Sequence, residues 1–192
     1  MTAKGAGRLV IISGPAGAGK STIVRRLLHE CRMPLQLSVS ATTRPRRPQE
    51  ADGIDYHFLS HEEFASRRAA AEFLECKEVF GRGDWYGTLK SEVASGFAAG
   101  KWVILEIDVD GASSVLEAHP EAITIFLHTG SMEELERRLR GRGTESEAAI
   151  QRRLEVARHE LARRDMYRHE VINHTIDQAV KDICQILVQS AQ

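Results

Sequence analysis

At 192 residues, 42% hydrophobic and 28% charged, the chain has the size and balance of one folded domain with a substantial core. A net charge of −1 argues against a general nucleic-acid binder and against a polybasic membrane surface. Cys31, Cys76 and Cys184, odd in number and far apart, predict free thiols in a reducing compartment. Residues 1–7 lack an apolar signal core and no run reaches the length of a membrane span, so a cytoplasmic protein is expected.

Along the chain, Leu9-Val10-Ile11-Ile12 reads as a short buried strand. It leads into Gly14-Pro15-Ala16-Gly17-Ala18-Gly19-Lys20-Ser21-Thr22, which satisfies G-x-x-x-x-G-K-[S/T]. Glycines let the backbone close on phosphate oxygens, and the helix that follows offers unpaired N–H groups and a positive dipole end. Lys20 is assigned to the β/γ-phosphates and Ser21 to Mg²⁺.

From about 39 to 95 the pattern breaks into a Thr-, Arg-, Pro- and aromatic-rich segment with turn signals at Arg44-Pro45, Arg47-Pro48, Asp52-Gly53 and Gly81-Arg82-Gly83. One stretch, 62–74, has helical amphipathicity. The segment reads as an inserted lobe for a second substrate, set into a core of about 1–38 and 96–192. Strand signals return at 102–107 and 122–127, with a shorter one at 171–172. Helical patterns cover 112–118, 131–140, 146–164 and 176–189. Alternating strands and helices predict a parallel α/β sheet.

Glu133/Arg137, Glu134/Arg138, Glu136/Arg140 and Glu160/Arg164 place Glu four residues before Arg, which predicts solvated helix faces. Arg142 and Arg153 stand apart from that pattern. Gly141-Arg142-Gly143 suits a lid, about 138–168, that brings charge over a transferring phosphate.

The stretch Ser38-Val39-Ser40-Ala41-Thr42-Thr43-Arg44-Pro45-Arg46-Arg47, followed by Gly53-Ile54-Asp55-Tyr56-His57-Phe58, resembles the guanylate kinase signature S-x-S-x-T-T-R-x-x-R…G-x-D-Y-x-F. Phe73-Leu74-Glu75, Trp85-Tyr86-Gly87-Thr88, Glu106-Ile107-Asp108 and Leu139-Arg140-Gly141-Arg142-Gly143-Thr144 extend the resemblance over nearly the whole chain. It implies a three-layer P-loop kinase fold, a parallel sheet flanked by helices, with an inserted mixed α/β lobe and a helical lid. It also implies γ-phosphoryl transfer from ATP to GMP, with dGMP as a further acceptor, and Mg²⁺ as cofactor.

By the same resemblance Ser40, Arg44, Arg47, Tyr56 and Tyr86 hold the acceptor phosphate, and Glu75, Thr88 and Asp108 read the base. Guanine presents N1–H and an exocyclic amino group side by side, so an ionised Glu75 accepts both, whereas adenine leaves it unpaired. Asn173 joins the loop 14–22 on the ATP side. Lys20, Arg44, Arg142 and Arg153 are expected to neutralise the transferring group, with no covalent intermediate. Ser21 and Asp108 are assigned to the metal, with Glu106 the alternative to Asp108 for orienting its water shell.

Five departures stand out: Ala16 for Ser, Gln49 for Gly before Glu50, a segment at 81–86 about two residues longer than the commoner form, Glu106 at the first position of the usual Asp-x-Asp, and His174-Thr175 where acidic residues are frequent. Two rival readings remain, a kinase for another phosphorylated acceptor and a non-catalytic phosphopeptide-binding module. Retention of Gly14, Gly19, Lys20 and Ser21 speaks against the second.

Overall fold

Leu9–Ser13 is buried at every position, as a strand enclosed on both faces and both edges must be. In the computed structural model, which describes residues 7–79, 83–141 and 146–192, this strand (β1) is the centre of a five-stranded parallel sheet. The helix α1 (Lys20–Glu30) follows it, then the edge strand β2 (Leu35–Leu37). A second sheet is built from β3 (Ala41–Thr42), β4 (His57–Phe58), β5 (Phe73–Glu78) and β6 (Trp85–Leu89), with α2 (His61–Ala69) between β4 and β5. Next come α3 (Lys90–Ala98), β7 (Trp102–Glu106), α4 (Val109–Ala118) and β8 (Ile123–His128). The chain closes with α5 (Met132–Arg140), α6 (Glu147–Leu161), a 3₁₀ turn at Arg164–Met166, β9 (His169–Ile172) and α7 (Ile176–Ser190).

The core order β2-β7-β1-β8-β9 pairs Ile12 with Glu106 on one side and Ser13 with Phe126 on the other. Side chains along β1 alternate between two cores. Val10 and Ile12 pack with Ile23, Leu27 and Ile183 of α1 and α7, while Leu9 and Ile11 meet Val93, Val109 and Val115 of α3 and α4. Chain direction departs to both sides of β1, so a crevice opens beyond the carboxyl ends of β1, β7 and β8.

The second sheet, ordered β4-β3-β6-β5, is mixed, with β3 parallel to β4 and antiparallel to β6. Its small core is Ala41, Phe64, Phe73 and Leu89, and the Phe64 and Phe73 rings stack with centroids 4.4 Å apart. Helices α5 and α6 share Leu135, Leu139, Ile150 and Leu154.

Three sequence expectations are corrected. The helix read over 62–74 stops at Ala69, because Ala71 turns left-handed (φ 55°). Ala71 N then bonds Arg68 O and Glu72 N bonds Arg67 O, both at 3.0 Å, a Schellman closure that sends Phe73 into a strand. The helix read over 146–164 ends at Leu161, where Arg163 N bonds Glu160 O and a 3₁₀ turn takes over. Cys31 and Cys184 are not free thiols. They form a disulfide with Cα atoms 5.7 Å apart, because the C-cap of α1 lies against α7; Cys76 is the free cysteine.

Candidate active site

The loop after β1 is shaped by what surrounds it. A Cβ on Gly14 (φ 142°) would stand 1.9 Å from the Leu127 carbonyl oxygen, and one on Gly19 (φ 91°) would stand 2.7 Å from Asn173 Nδ2. Both positions therefore require glycine. Asn173, buried beyond β9, donates to Ala18 O at 2.7 Å, so it braces the loop from below. Lys20 Nζ curls over the loop and donates to Gly14 O (2.5 Å) and Pro15 O (3.2 Å). Thr22 follows Ser21 in the first turn of α1.

Ser21 Oγ donates to Glu106 Oε1 at 2.7 Å, at the carboxyl end of β7. Asp108 is occupied elsewhere. Its Oδ1 caps α4 by accepting from Asp110 N (3.1 Å) and Gly111 N (2.9 Å), and Oδ2 meets the Lys77 ammonium. Of the two acidic residues, Glu106 is the one beside Ser21.

Across the crevice, Arg44 and Arg47 gather around the Glu50 carboxylate. Arg44 forks onto Glu50, 2.9 and 3.0 Å to its two oxygens, and its Nε donates to the Tyr86 hydroxyl at 3.1 Å. The same guanidinium lies 5.4 Å from the Tyr56 ring centroid, and Tyr56 meets Tyr86 edge-on at 5.8 Å. Arg47 N donates to Glu50 Oε2 (2.9 Å), while its guanidinium, 3.8 Å from Glu50 Oε1, is largely exposed. Arg44 holds the Glu50 carboxyl below the usual range, and burial pushes the Tyr56 hydroxyl up. Ser40 is half-buried just before β3, its carbonyl taken by His57 N.

Glu75 and Thr88 face each other in the β5–β6 register, and Thr88 Oγ1 donates to Glu75 Oε1 at 2.7 Å. Burial raises the Glu75 carboxyl, and the Thr88 hydroxyl partly offsets that rise. A Cβ on Gly111 would lie 3.0 Å from Glu75 Oε2, so the N-terminal turn of α4 closes one side of this pocket.

Arg153 is half-buried on α6. Arg142 lies outside the described residues. The four predicted Glu–Arg pairs do not all form. Glu134 binds Arg138 and Glu136 binds Arg140, but Arg137 turns to Glu134, three residues away. Glu160 is no solvated partner of Arg164: it is 7% exposed, and burial lifts its carboxyl to about 7, against the pull of Lys20. Arg138 reaches Asn173 O at 2.8 Å and lines a cavity of about 490 Å³ with Thr129, Ser131, Ile172 and His174. Sequence reasoning gave Glu50, Lys77 and this cavity no role and misread Glu160 as a solvated helix residue. Only Glu50 left a sequence signal, its spacing of three residues from Arg47.

Fold and site together are those of the P-loop kinases that act on nucleoside monophosphates. The family model described as Guanylate kinase matches residues 6–190. A guanylate kinase of Rhodopirellula baltica is 62% identical over 183 residues, 95% of this chain and 88% of that protein. One from Corynebacterium diphtheriae is 46% identical over 182 residues, 95% of each chain. The crystal structure of guanylate kinase from Anaplasma phagocytophilum superposes with a TM-score of 0.79 at 30% identity, covering 97% of this chain and 87% of that one. The chain belongs to the guanylate kinase family, kinases that transfer a phosphate from ATP to GMP and so give ADP and GDP.

Proposed function

We propose that the crevice holds ATP and GMP head to head, the loop 14–22 wrapping the donor phosphates and the Arg44 cradle holding the acceptor. The observation that carries this reading is Glu50. A carboxylate already sits between Arg44 and Arg47, and the same Arg44 holds the Tyr86 hydroxyl and lies over the Tyr56 ring, where an acceptor phosphate needs its donors. Binding of the GMP phosphate exchanges one anion for another in a preformed site, with Ser40, Arg44, Arg47, Tyr56 and Tyr86 as its holders.

Lys20 releases two backbone carbonyls when a γ-phosphate takes its charge, so its free-state contacts keep it in place rather than misdirect it. Arg44, Arg142 and Arg153 complete the positive field around the transferring group. The acceptor oxygen is already anionic, and the chain needs only to align it and exclude water. Glu75 takes both guanine donors, Thr88 keeps that carboxylate turned to the base, and Asp108 closes the far side. The cavity by Arg138 and His174, beyond Asn173 from the phosphate loop, suits the adenine of ATP.

Ser21 and Glu106 supply hard oxygen donors 2.7 Å apart, which fits Mg²⁺ held jointly by protein and substrate phosphates. When bound, the ion withdraws charge from the β- and γ-phosphate oxygens. Glu106 therefore takes the water-shell role first assigned to Asp108. No helix among the described residues is long and apolar enough to cross a membrane, and a cytoplasmic place in purine nucleotide metabolism goes with these substrates.

ADP release from ATP should be measured with GMP, dGMP, AMP and sugar bisphosphates in turn. GMP should exceed AMP by about 10⁴ in kcat/KM, the discrimination a site built on paired hydrogen bonds reaches. Equal use of AMP refutes the reading of the base pocket.

A further inference from the structure

Lys77 has no part in phosphoryl transfer, yet it stands two residues beyond Glu75 on β5, on the same face of the strand. Its ammonium bridges to α4, contacting Asp108 Oδ2 and lying 3.0 Å from Asp110 Oδ2. Asp110 also receives Arg163 from the segment after α6. Asp108 is thus fixed at both oxygens, one by the backbone of its own cap and the other by Lys77.

The turn so anchored is the one that closes the base pocket. A Cβ on Gly111 would stand 3.0 Å from Glu75 Oε2 and 3.6 Å from Asp108 Oδ1, so the two carboxylates converge on the same backbone. Asp110 adds a third negative charge there, and buried Glu160 is close enough for Asp108, Asp110 and Lys77 to act on it. Carboxylates gathered this closely repel one another, which drives them apart or toward protonation. Burial works against the charge on Lys77, but Asp108 and Asp110 hold its ammonium ionised. As a half-exposed pair the bridge contributes little to stability. Its effect falls on where the carboxylates point.

We infer that Lys77 is a positioning residue for guanine selection: it ties the strand carrying Glu75 to the turn carrying Asp108, so that both carboxylates meet the base in a fixed arrangement. The inference rests on the GMP reading of this pocket.

Steady-state kinetics of the full chain with Lys77→Met and Lys77→Arg, using GMP and IMP as acceptors, test it. IMP keeps N1–H and lacks the 2-amino group. Lys77→Met should raise KM for GMP about tenfold, the size of a lost charge-assisted contact, and lower the GMP-over-IMP preference by a similar factor. KM for ATP and kcat at saturating GMP should stay within about twofold, since no donor-side or transition-state contact is touched. Lys77→Arg should recover most of the loss. Unchanged GMP kinetics in Lys77→Met, a general fall in kcat with both KM values raised, or loss of its fold would each overturn the inference. Wild-type protein unable to phosphorylate GMP removes the acceptor reading and this inference with it, whereas a GMP-active wild type with an indifferent Lys77→Met removes the inference alone.

Discussion

Glu75→Gln separates recognition from stability in one substitution. In the free protein Oε1 accepts from Thr88 and Oε2 faces the turn at Gly111, leaving the carboxylate's remaining lone pairs for guanine N1–H and its amino group. A Gln side chain keeps one oxygen, which Thr88 already engages, and turns an NH₂ toward two guanine donors. One charge-assisted hydrogen bond is lost, about 1.5–3 kcal/mol, and a donor–donor contact adds about 1–3 kcal/mol more. The sum predicts a fall of roughly 10² to 10⁴ in kcat/KM for GMP, at about 1.4 kcal/mol per factor of ten. KM for ATP should not move, because no atom of Glu75 touches the loop 14–22.

Stability should change in the opposite direction. Burial raises the Glu75 carboxyl, so the folded state carries an ionised group that desolvation penalises at neutral pH. A neutral Gln removes that penalty, and chemical denaturation at pH 8 should find the variant at least as stable as wild type. The advantage must shrink as pH falls toward the range of a free carboxyl and Glu75 protonates in both states. A coupled ADP-release assay with GMP and AMP, beside the denaturation series, checks both halves. An unchanged preference for GMP over AMP would falsify the role given to Glu75, whatever happens to stability.

Lys20→Met should lower turnover by orders of magnitude while circular dichroism and melting stay near wild type, since among the described residues the side chain bonds two loop carbonyls; near-normal turnover removes Lys20 from the mechanism. Glu160, whose carboxyl is held at about 7 against 4.5 for a free side chain, predicts that folding stability falls by about 3 kcal/mol as pH rises from 4.5 through 7. Glu160→Gln should flatten that part of the pH dependence and be the more stable protein at pH 8, and identical pH profiles would count against the buried carboxyl. The Cys31–Cys184 disulfide predicts one titratable thiol per denatured, unreduced chain and three after reduction. Closing a loop of 153 residues limits its contribution to about 5 kcal/mol in the chain-entropy picture, and three thiols without reductant would show that the bond does not form.

The core was legible because its strands are self-announcing. Leu9–Ser13, Trp102–Glu106 and Ile123–His128 are apolar runs at the length of a buried parallel strand, and the helices α5 and α6 that follow them carry capping serines and amphipathic spacing. The lobe lacked that signal. Ala41–Thr42 and His57–Phe58 are two residues each and become strands only through pairing with one another and with β6. Leu35–Leu37 is half-buried at a sheet edge and too short to show a period. Phe73 continued the helical pattern of 62–74, and the left-handed turn at Ala71, where glycine is the usual residue, carried no warning.

Site residues divide the same way. A phosphate loop is written in consecutive residues because its function lies in the backbone, and the backbone of one segment needs no partner to be recognised. The charged residues depend on partners from other elements. Glu136 and Glu160 both stand four residues before an arginine on a helix, yet Glu136 pairs with Arg140 near water and Glu160 is buried. The difference arises because α6 gives way to a 3₁₀ turn at Arg164–Met166, which takes Arg164 off the helical spacing and toward Asp165 and Glu170. Glu106 and Asp108 likewise alternate along one short segment, and only the end of β7 and the start of α4 decide which one faces Ser21. A carboxylate's chemistry in this protein is therefore set by where an element ends, and the ends of α2 and α6 lie at backbone turns that no glycine or proline marks in the sequence.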